Sequence, residues 1–179
     1  MSGRAVYLDR DGVLNRAAVR EGKPYPPATL KQLKILPGVS DALARLRAAG
    51  FRLVVVTNQP DVARGSTPLA IVEAIHAYMW ATLPLDAIEV CLHSNSEGCD
   101  CRKPRPGMLL RDAARHDIDI TRSFMVGDRW RDIDAGAAAG CCTILIDAGY
   151  DERAPAHAPN HVCRSLPEVA EWILRTGNE

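Results

Sequence analysis

The feature that most restricts the fold is a set of short apolar runs in which polar residues do not alternate. Ala5–Leu8, Leu53–Val56, Ile88–Leu92, Phe124–Val126 and Thr143–Ile146 read as strands of this kind. A strand with one wet face alternates, whereas a strand covered on both faces does not. Helical stretches separate the runs. Val39–Ala49 places Leu43 and Leu46 on one face and stops at Gly50. Thr67 and Pro68 read as the N-cap and first position of a helix reaching about Thr82. Pro106–His116, Arg131–Ala139 and Pro167–Arg175 complete the helices. Buried strands alternating with helices specify an α/β fold, a doubly wound parallel sheet. A chain of 179 residues accommodates it as one domain, 1–179.

In such folds the site lies beyond the carboxyl ends of the strands, at a switch in strand order. Asp9 and Asp11 follow the first run, Thr57 and Asn58 the second, His93 the third, and Gly127 and Asp128 the fourth. Two segments lack periodicity, Arg16–Leu36 and Ser94–Arg105, and irregular segments of this length often carry function. Asp151–Pro159 reads as a plain surface loop.

Twenty-two basic residues balance 22 acidic ones, which argues against non-specific nucleic-acid binding. No stretch approaches the roughly 20 apolar residues of a membrane span, and Met1–Asp9 lacks a signal-peptide pattern. The expectation is a cytoplasmic monomer acting on a small molecule, with no nucleic-acid or membrane partner. Its six cysteines are then not expected to form disulfides.

Asp9, Asp11 and Asp128 together form an oxygen-rich pocket suited to Mg²⁺. Solvated turn aspartates are the bland alternative, and it weakens once several strand ends carry matching polar groups. Thr57 and Asn58 offer hydrogen bonds to a phosphate, or else form an ordinary polar strand end. Arg102-Lys103-Pro104-Arg105 opens a helix, where cations and the helix N-terminus favour an anion; a solvated basic loop is the alternative. Cys91, His93, Cys99 and Cys101 make a Cys₃His set that suits tetrahedral Zn²⁺. Free cysteines in a loop remain the competing reading on spacing alone. Cys141, Cys142 and Cys163 read as core residues. His76 reads as a surface or packing residue rather than a ligand, and Trp80, Trp130 and Trp172 read as packing rather than a stacking platform, with Trp130 close enough to Asp128 to reach a rim.

In order, Asp9-x-Asp11-Gly12, Thr57-Asn58, Lys103 and Gly127-Asp128-x-x-x-Asp132 resemble the four motifs of the haloacid dehalogenase superfamily. Within it the chain is most similar to the D,D-heptose 1,7-bisphosphate phosphatases and the histidinol-phosphate phosphatases. Asp9-Arg10-Asp11-Gly12-Val13-Leu14-Asn15, Thr57 to Gly65, the Cys/His cluster and Cys101-Arg102-Lys103-Pro104 carry that similarity. One departure is visible: Pro60-Asp61 stands where the family has Ser-Gly after Thr-Asn-Gln.

The resemblance implies a Mg²⁺-dependent phosphatase working through an aspartyl phosphate. Asp9 is the implied nucleophile and Asp11 the implied acid and base. The Asp11 backbone carbonyl joins the Asp9 and Asp128 side chains on Mg²⁺. Thr57 and Lys103 are expected to hold the transferring phosphoryl group. Asn58, Arg102 and Arg129 are expected to face substrate, with Asp132 supporting the metal or Lys103. The implied zinc is structural, because four protein ligands close its shell. Neither possible insertion point has room for a folded cap, so an open site is expected. The implied substrate is a heptose 1,7-bisphosphate, with histidinol phosphate as the alternative. A catalytically idle ligand-binding protein is the alternative of another class.

Overall fold

The computed structural model describes residues 2–176. Its centre is β1, Arg4–Leu8. The other strands of the main sheet are β4 (Phe51–Asn58), β5 (Ala87–Cys91), β6 (Phe124–Gly127), β7 (Cys142–Ile146) and β8 (His161–Cys163). They lie in the order β5-β4-β1-β6-β7-β8, and every ladder is parallel. The chain winds outward from β1 to β5, then crosses back to β6 and winds the other way. The switch point therefore lies between β1 and β6.

Register sets which residues emerge together. Leu8 pairs with Val55 on one side and Val126 on the other. Asp9, Thr57 and Asp128 consequently leave the sheet at one edge. β4 runs on far enough to pair Asn58 with Cys91, which brings the cysteine loop to the same edge.

The absence of alternation in the strands has its explanation in the packing. Val6, Leu8, Leu53, Val55 and Val126 face a core built with helices α1 (Val39–Ala48), α2 (Leu69–Thr82) and α5 (Leu166–Thr176). Ala5, Tyr7, Val54, Val56 and Met125 face a second core with Met108 and Leu109 of α3 (Gly107–Arg115). Helix α4 (Trp130–Ala139) packs beside β6 and β7. Leu8 is fully buried, so truncating it to Ala would cost about 2–5 kcal/mol.

Several expectations need correction. Arg16–Leu36 is not wholly irregular: β2 (Ala18–Arg20) and β3 (Lys23–Tyr25) form an antiparallel hairpin. Its turn places Glu21 and Gly22 at φ 50° and 71°, the left-handed pair that a two-residue hairpin turn requires. Thr67 caps nothing; Pro68 occupies the N-cap position of α2, and no side chain caps it. Trp80 is 53% exposed rather than packed. The loop after β7 is anchored, since Asp134 accepts from the backbone N–H of Ala156 at 2.7 Å and from Arg153 at 3.1 Å.

Between β1 and α1 the chain carries only the hairpin and a short 3₁₀ turn, and between β5 and α3 only the cysteine loop. The open site expected from the sequence follows. Among the described residues no helix is long and apolar enough to cross a membrane.

Candidate functional site

Asp9 continues β1 and is held at its level by the hydrogen bond from its backbone N–H to Val126 O, 2.9 Å. Its side chain is largely buried and accepts from Lys103 Nζ at 2.8 Å. Lys103 arrives from the loop between β5 and α3 and is 2% exposed. Its ammonium also meets Asp132 at 2.6 Å and the Val56 carbonyl at 2.7 Å. Three acceptors match the three N–H bonds of an ammonium, so the lysine is fixed in direction. Burial pulls its pKa down, but the Asp132 and Asp9 carboxylates outweigh that and hold it raised.

Asp128 follows Gly127 at the end of β6. Both of its carboxylate oxygens are buried, and among the described residues only the Tyr150 hydroxyl approaches them, outside good hydrogen-bond geometry. Oxygens of Asp9, Asp128 and Asp132 lie within 4.8 Å of one another. Burial, with Asp132 next, pushes the Asp9 carboxyl up to about 6 against the pull of Lys103. Burial and the charges of Asp9 and Asp132 push Asp128 well above the ordinary carboxylate range. Three buried carboxylates share one ammonium, and such an excess calls for a cation. Asp128's unsatisfied oxygens supply hard ligands for it, and a divalent ion of the Mg²⁺ kind fits this donor set.

Space for Asp128 comes from a glycine. A Cβ built on Gly12 would lie 1.7 Å from Asp128 Oδ2. At Gly127, a Cβ would lie 2.1 Å from Asp132 Cβ. Gly12 also adopts φ 90°, a conformation that glycine alone enters readily.

The Asp11 carboxylate stands apart from this acidic cluster. Oδ2 accepts from Arg10 Nε and Nη2 at 3.2 and 2.7 Å and from Gln59 Nε2 at 2.9 Å. Oδ1 accepts from Asn15 Nδ2 at 2.9 Å. Gln59 also donates to Thr57 Oγ1 at 3.0 Å. The threonine hydroxyl, engaged as an acceptor, keeps its own proton to donate. Asp9, Asp11, Thr57 and Lys103 line one cavity of about 260 Å³, rimmed by Lys23 and Tyr25 of the hairpin and by Arg64.

Of the residues expected to face substrate, Asn58 is differently engaged. Its amide donates to the Lys103 carbonyl at 3.0 Å and accepts from the Lys103 N–H at 3.1 Å. It locks the lysine's backbone and has little left for a phosphate. Arg129 forks onto Glu152, in the loop that reads as plain surface from sequence, while still lining the cavity. Arg102 donates to Asn95 Oδ1 at 2.7 Å and to the His93 carbonyl at 3.3 Å, but remains on the cavity wall. Arg131, with a buried Nε that finds no acceptor, lines the same wall. In the sequence its one signal is its position in the first turn after Asp128.

The cysteine set closes as its spacing suggests. Cys91 Sγ lies 3.7 Å from Cys99 Sγ, 3.3 Å from Cys101 Sγ and 3.6 Å from His93 Nδ1. His93 Nδ1 lies 3.3 Å from Cys101 Sγ. A tetrahedral zinc with ordinary bond lengths sets S···S edges of about 3.8 Å and S···N edges of about 3.6 Å. The four donors therefore fit such an ion. Arg102 and Lys103 follow directly on Cys101.

Comparison with known proteins agrees with this geometry. The HAD-hydrolase-like family model matches residues 100–169. The D-glycero-beta-D-manno-heptose-1,7-bisphosphate 7-phosphatase of Pseudomonas putida is 40% identical over 84% of this chain and 86% of that protein. Its counterpart in Bordetella bronchiseptica is 37% identical over 96% of this chain and 98% of that protein. The crystal structure of D,D-heptose 1,7-bisphosphate phosphatase from B. bronchiseptica, complexed with magnesium and phosphate, superimposes with a TM-score of 0.81. That alignment has 36% identity and covers 96% of this chain and 98% of the other.

Proposed function

The chain belongs to the D-glycero-D-manno-heptose 1,7-bisphosphate 7-phosphatase family of HAD-like hydrolases, phosphoric monoester hydrolases, and we propose that it removes the 7-phosphate from that sugar bisphosphate with Asp9 as nucleophile. The observation that carries the residue assignment is the Asp9 carboxylate, held 2.8 Å from Lys103 Nζ on the wall of the cavity that Asp11 and Thr57 also line.

An Asp9 oxygen attacks phosphorus, and the bond from phosphorus to the sugar oxygen breaks. Asp11, entering the step protonated on Oδ1, the oxygen that the Arg10 fork leaves to Asn15, gives that proton to the leaving oxygen. Water then attacks the aspartyl phosphate. Asp11 takes the proton back, and the bond from phosphorus to Asp9 breaks, releasing inorganic phosphate. As Asp9 attacks, the Lys103 N–H that it accepted turns to the phosphoryl group and, with the free Thr57 proton, meets the equatorial oxygens, where charge must be offset in the transition state. A Mg²⁺ ion held by the side chains of Asp9 and Asp128 and the backbone carbonyl of Asp11 would act as a Lewis acid on the phosphoryl group. Asp132 belongs to Lys103, given their 2.6 Å contact, rather than to the ion. The unpaired thiols of the six cysteines suit a reducing, cytoplasmic setting.

Arg102 and Arg131 give the cavity cations beyond the one that the transferring phosphate needs. A second phosphate on the substrate matches them, whereas the amine of histidinol phosphate is repelled. The expected kcat/KM for the heptose bisphosphate exceeds that for histidinol phosphate by at least roughly tenfold, about 1.4 kcal/mol. Arg102→Ala should shrink this ratio more than it slows a small monophosphate. Initial rates across the panel decide the matter, and the reverse ranking would remove the heptose assignment.

Zn²⁺ on Cys91, His93, Cys99 and Cys101 would be structural, fixing the loop that delivers Arg102 and Lys103. Elemental analysis of protein purified without chelator should find about one zinc per chain. Cys99→Ser should lower that content and the melting temperature together, since metal binding is linked to folding. Full occupancy in a Cys99→Ser, Cys101→Ser double variant would refute the ligand set.

A further inference from the structure

Arg10 follows the nucleophile in sequence, yet its side chain points into the protein and is fully buried. Two of its nitrogens fork onto Asp11 Oδ2 at 3.2 and 2.7 Å. The third, Nη1, lies 3.1 Å from Nε2 of His76 on α2. Arginine only donates, so His76 Nε2 must accept, and its ring is the neutral tautomer protonated at Nδ1. Burial and the Arg10 charge, pushing the imidazole down to about 4, agree with that state. The guanidinium is planar and rigid. An acceptor on Nη1 therefore fixes the direction of the Nε and Nη2 donors on the opposite edge. His76 thus has a defined relation to Asp11 without touching it.

We infer that His76 is a positioning residue: through the buried Arg10 guanidinium it holds the Asp11 carboxylate in the orientation from which the proton reaches the leaving oxygen. The inference rests on Asp11 as the acid and base of the proposed reaction. It goes beyond that reading in giving an α2 residue, outside every motif of the site, control over proton transfer. Asn15 and Gln59 restrain the two Asp11 oxygens individually. Among the described residues only the arginine fork gives Asp11 charge-assisted bonds, and only His76 anchors the fork's far side.

Leaving-group dependence separates this role from a general structural one. A hexose 6-phosphate expels an alkoxide, which needs the proton from Asp11. The 4-nitrophenolate of 4-nitrophenyl phosphate leaves without it. His76→Leu fills the space but accepts no hydrogen bond; His76→Gln restores an acceptor oxygen. Single-turnover release of the leaving group and steady-state kcat and KM are to be measured for both substrates with Mg²⁺ present. For His76→Leu the expected result is a roughly tenfold or larger loss in kcat on the hexose phosphate, from the misplaced acid, with KM held within about twofold. Release of 4-nitrophenolate should stay within about twofold of wild type, and His76→Gln should recover most of the lost rate. Equal slowing of single-turnover leaving-group release for both substrates, or none, would overturn the inference. If His76→Leu does not fold, the shorter His76→Asn serves in the same comparison. Asp11→Asn is the reference. Undiminished hexose phosphate turnover there would sink the reading of Asp11 itself, whereas a crippled Asp11→Asn beside a normal His76→Leu would sink His76 alone.

Discussion

Asp9→Asn removes turnover, with kcat expected to fall by roughly four to six orders of magnitude. The amide has nearly the same shape as the carboxylate, so the cavity and the neighbouring strands should survive the change. It lacks the nucleophilic oxygen, and no other group stands in its place: the Asp11 carboxylate is occupied by Arg10, Asn15 and Gln59, and that of Asp132 by Lys103. Stopped assays of wild type with acid-quenched substrate should trap a phosphorylated aspartate; the variant should trap none. Residual turnover within tenfold of wild type would rule Asp9 out as nucleophile.

Chelation is expected to have an effect of similar size. EDTA should abolish activity and added Mg²⁺ should restore it, whereas Zn²⁺ should not, because its tetrahedral preference suits this oxygen site poorly. Undiminished turnover in metal-free buffer would remove the ion from the mechanism. The same buried charges make a stability prediction. Burial raises Asp9 to about 6 and raises Asp128 as well. A carboxyl whose folded-state pKa lies above its unfolded value favours the fold while protonated, and that advantage is lost as pH rises through the folded value. For Asp9 the loss falls between about pH 4 and about pH 6. Metal-free protein should therefore melt lower at pH 7 than this pair would allow if neutral. Asp128→Asn should raise the metal-free melting temperature at pH 7 while abolishing the response to Mg²⁺. A melting temperature that drops in that variant would show the Asp128 charge to be compensated without an ion.

Five of the six strands of the main sheet were legible because burial on both faces leaves an unmistakable trace, as in Val54–Val56, which feed two different cores; β8, three residues with only Cys163 buried, was not. The hairpin was not, because its residues are mostly exposed and Pro24 sits inside a strand. Edge ribbons tolerate such residues and so leave no pattern. Acids at strand ends were readable for the same reason as the strands: Asp9 and Asp128 stand where an apolar run stops. What Asn58 and Arg129 do was hidden, because their partners, the Lys103 backbone and Glu152, are set by tertiary contact alone. His76 gave no sign either, since its partner Arg10 lies on a different element. The only available cue was a histidine on α2, whose low polarity leaves few other hydrogen-bonding groups.

The missing Cβ of Gly12 ties two distant stretches of chain into one inherited unit. Any side chain there would occupy the volume that Asp128 Oδ2 fills, so a mutation at Gly12 acts as a mutation of Asp128. A lineage that drifts away from glycine at this position would be released from keeping the aspartate, and could retain the fold while catalysis decays. In a descendant of this chain, the identity of residue 12 would then serve as an indicator of whether a gene still encodes an enzyme, even where Asp9 and Lys103 persist.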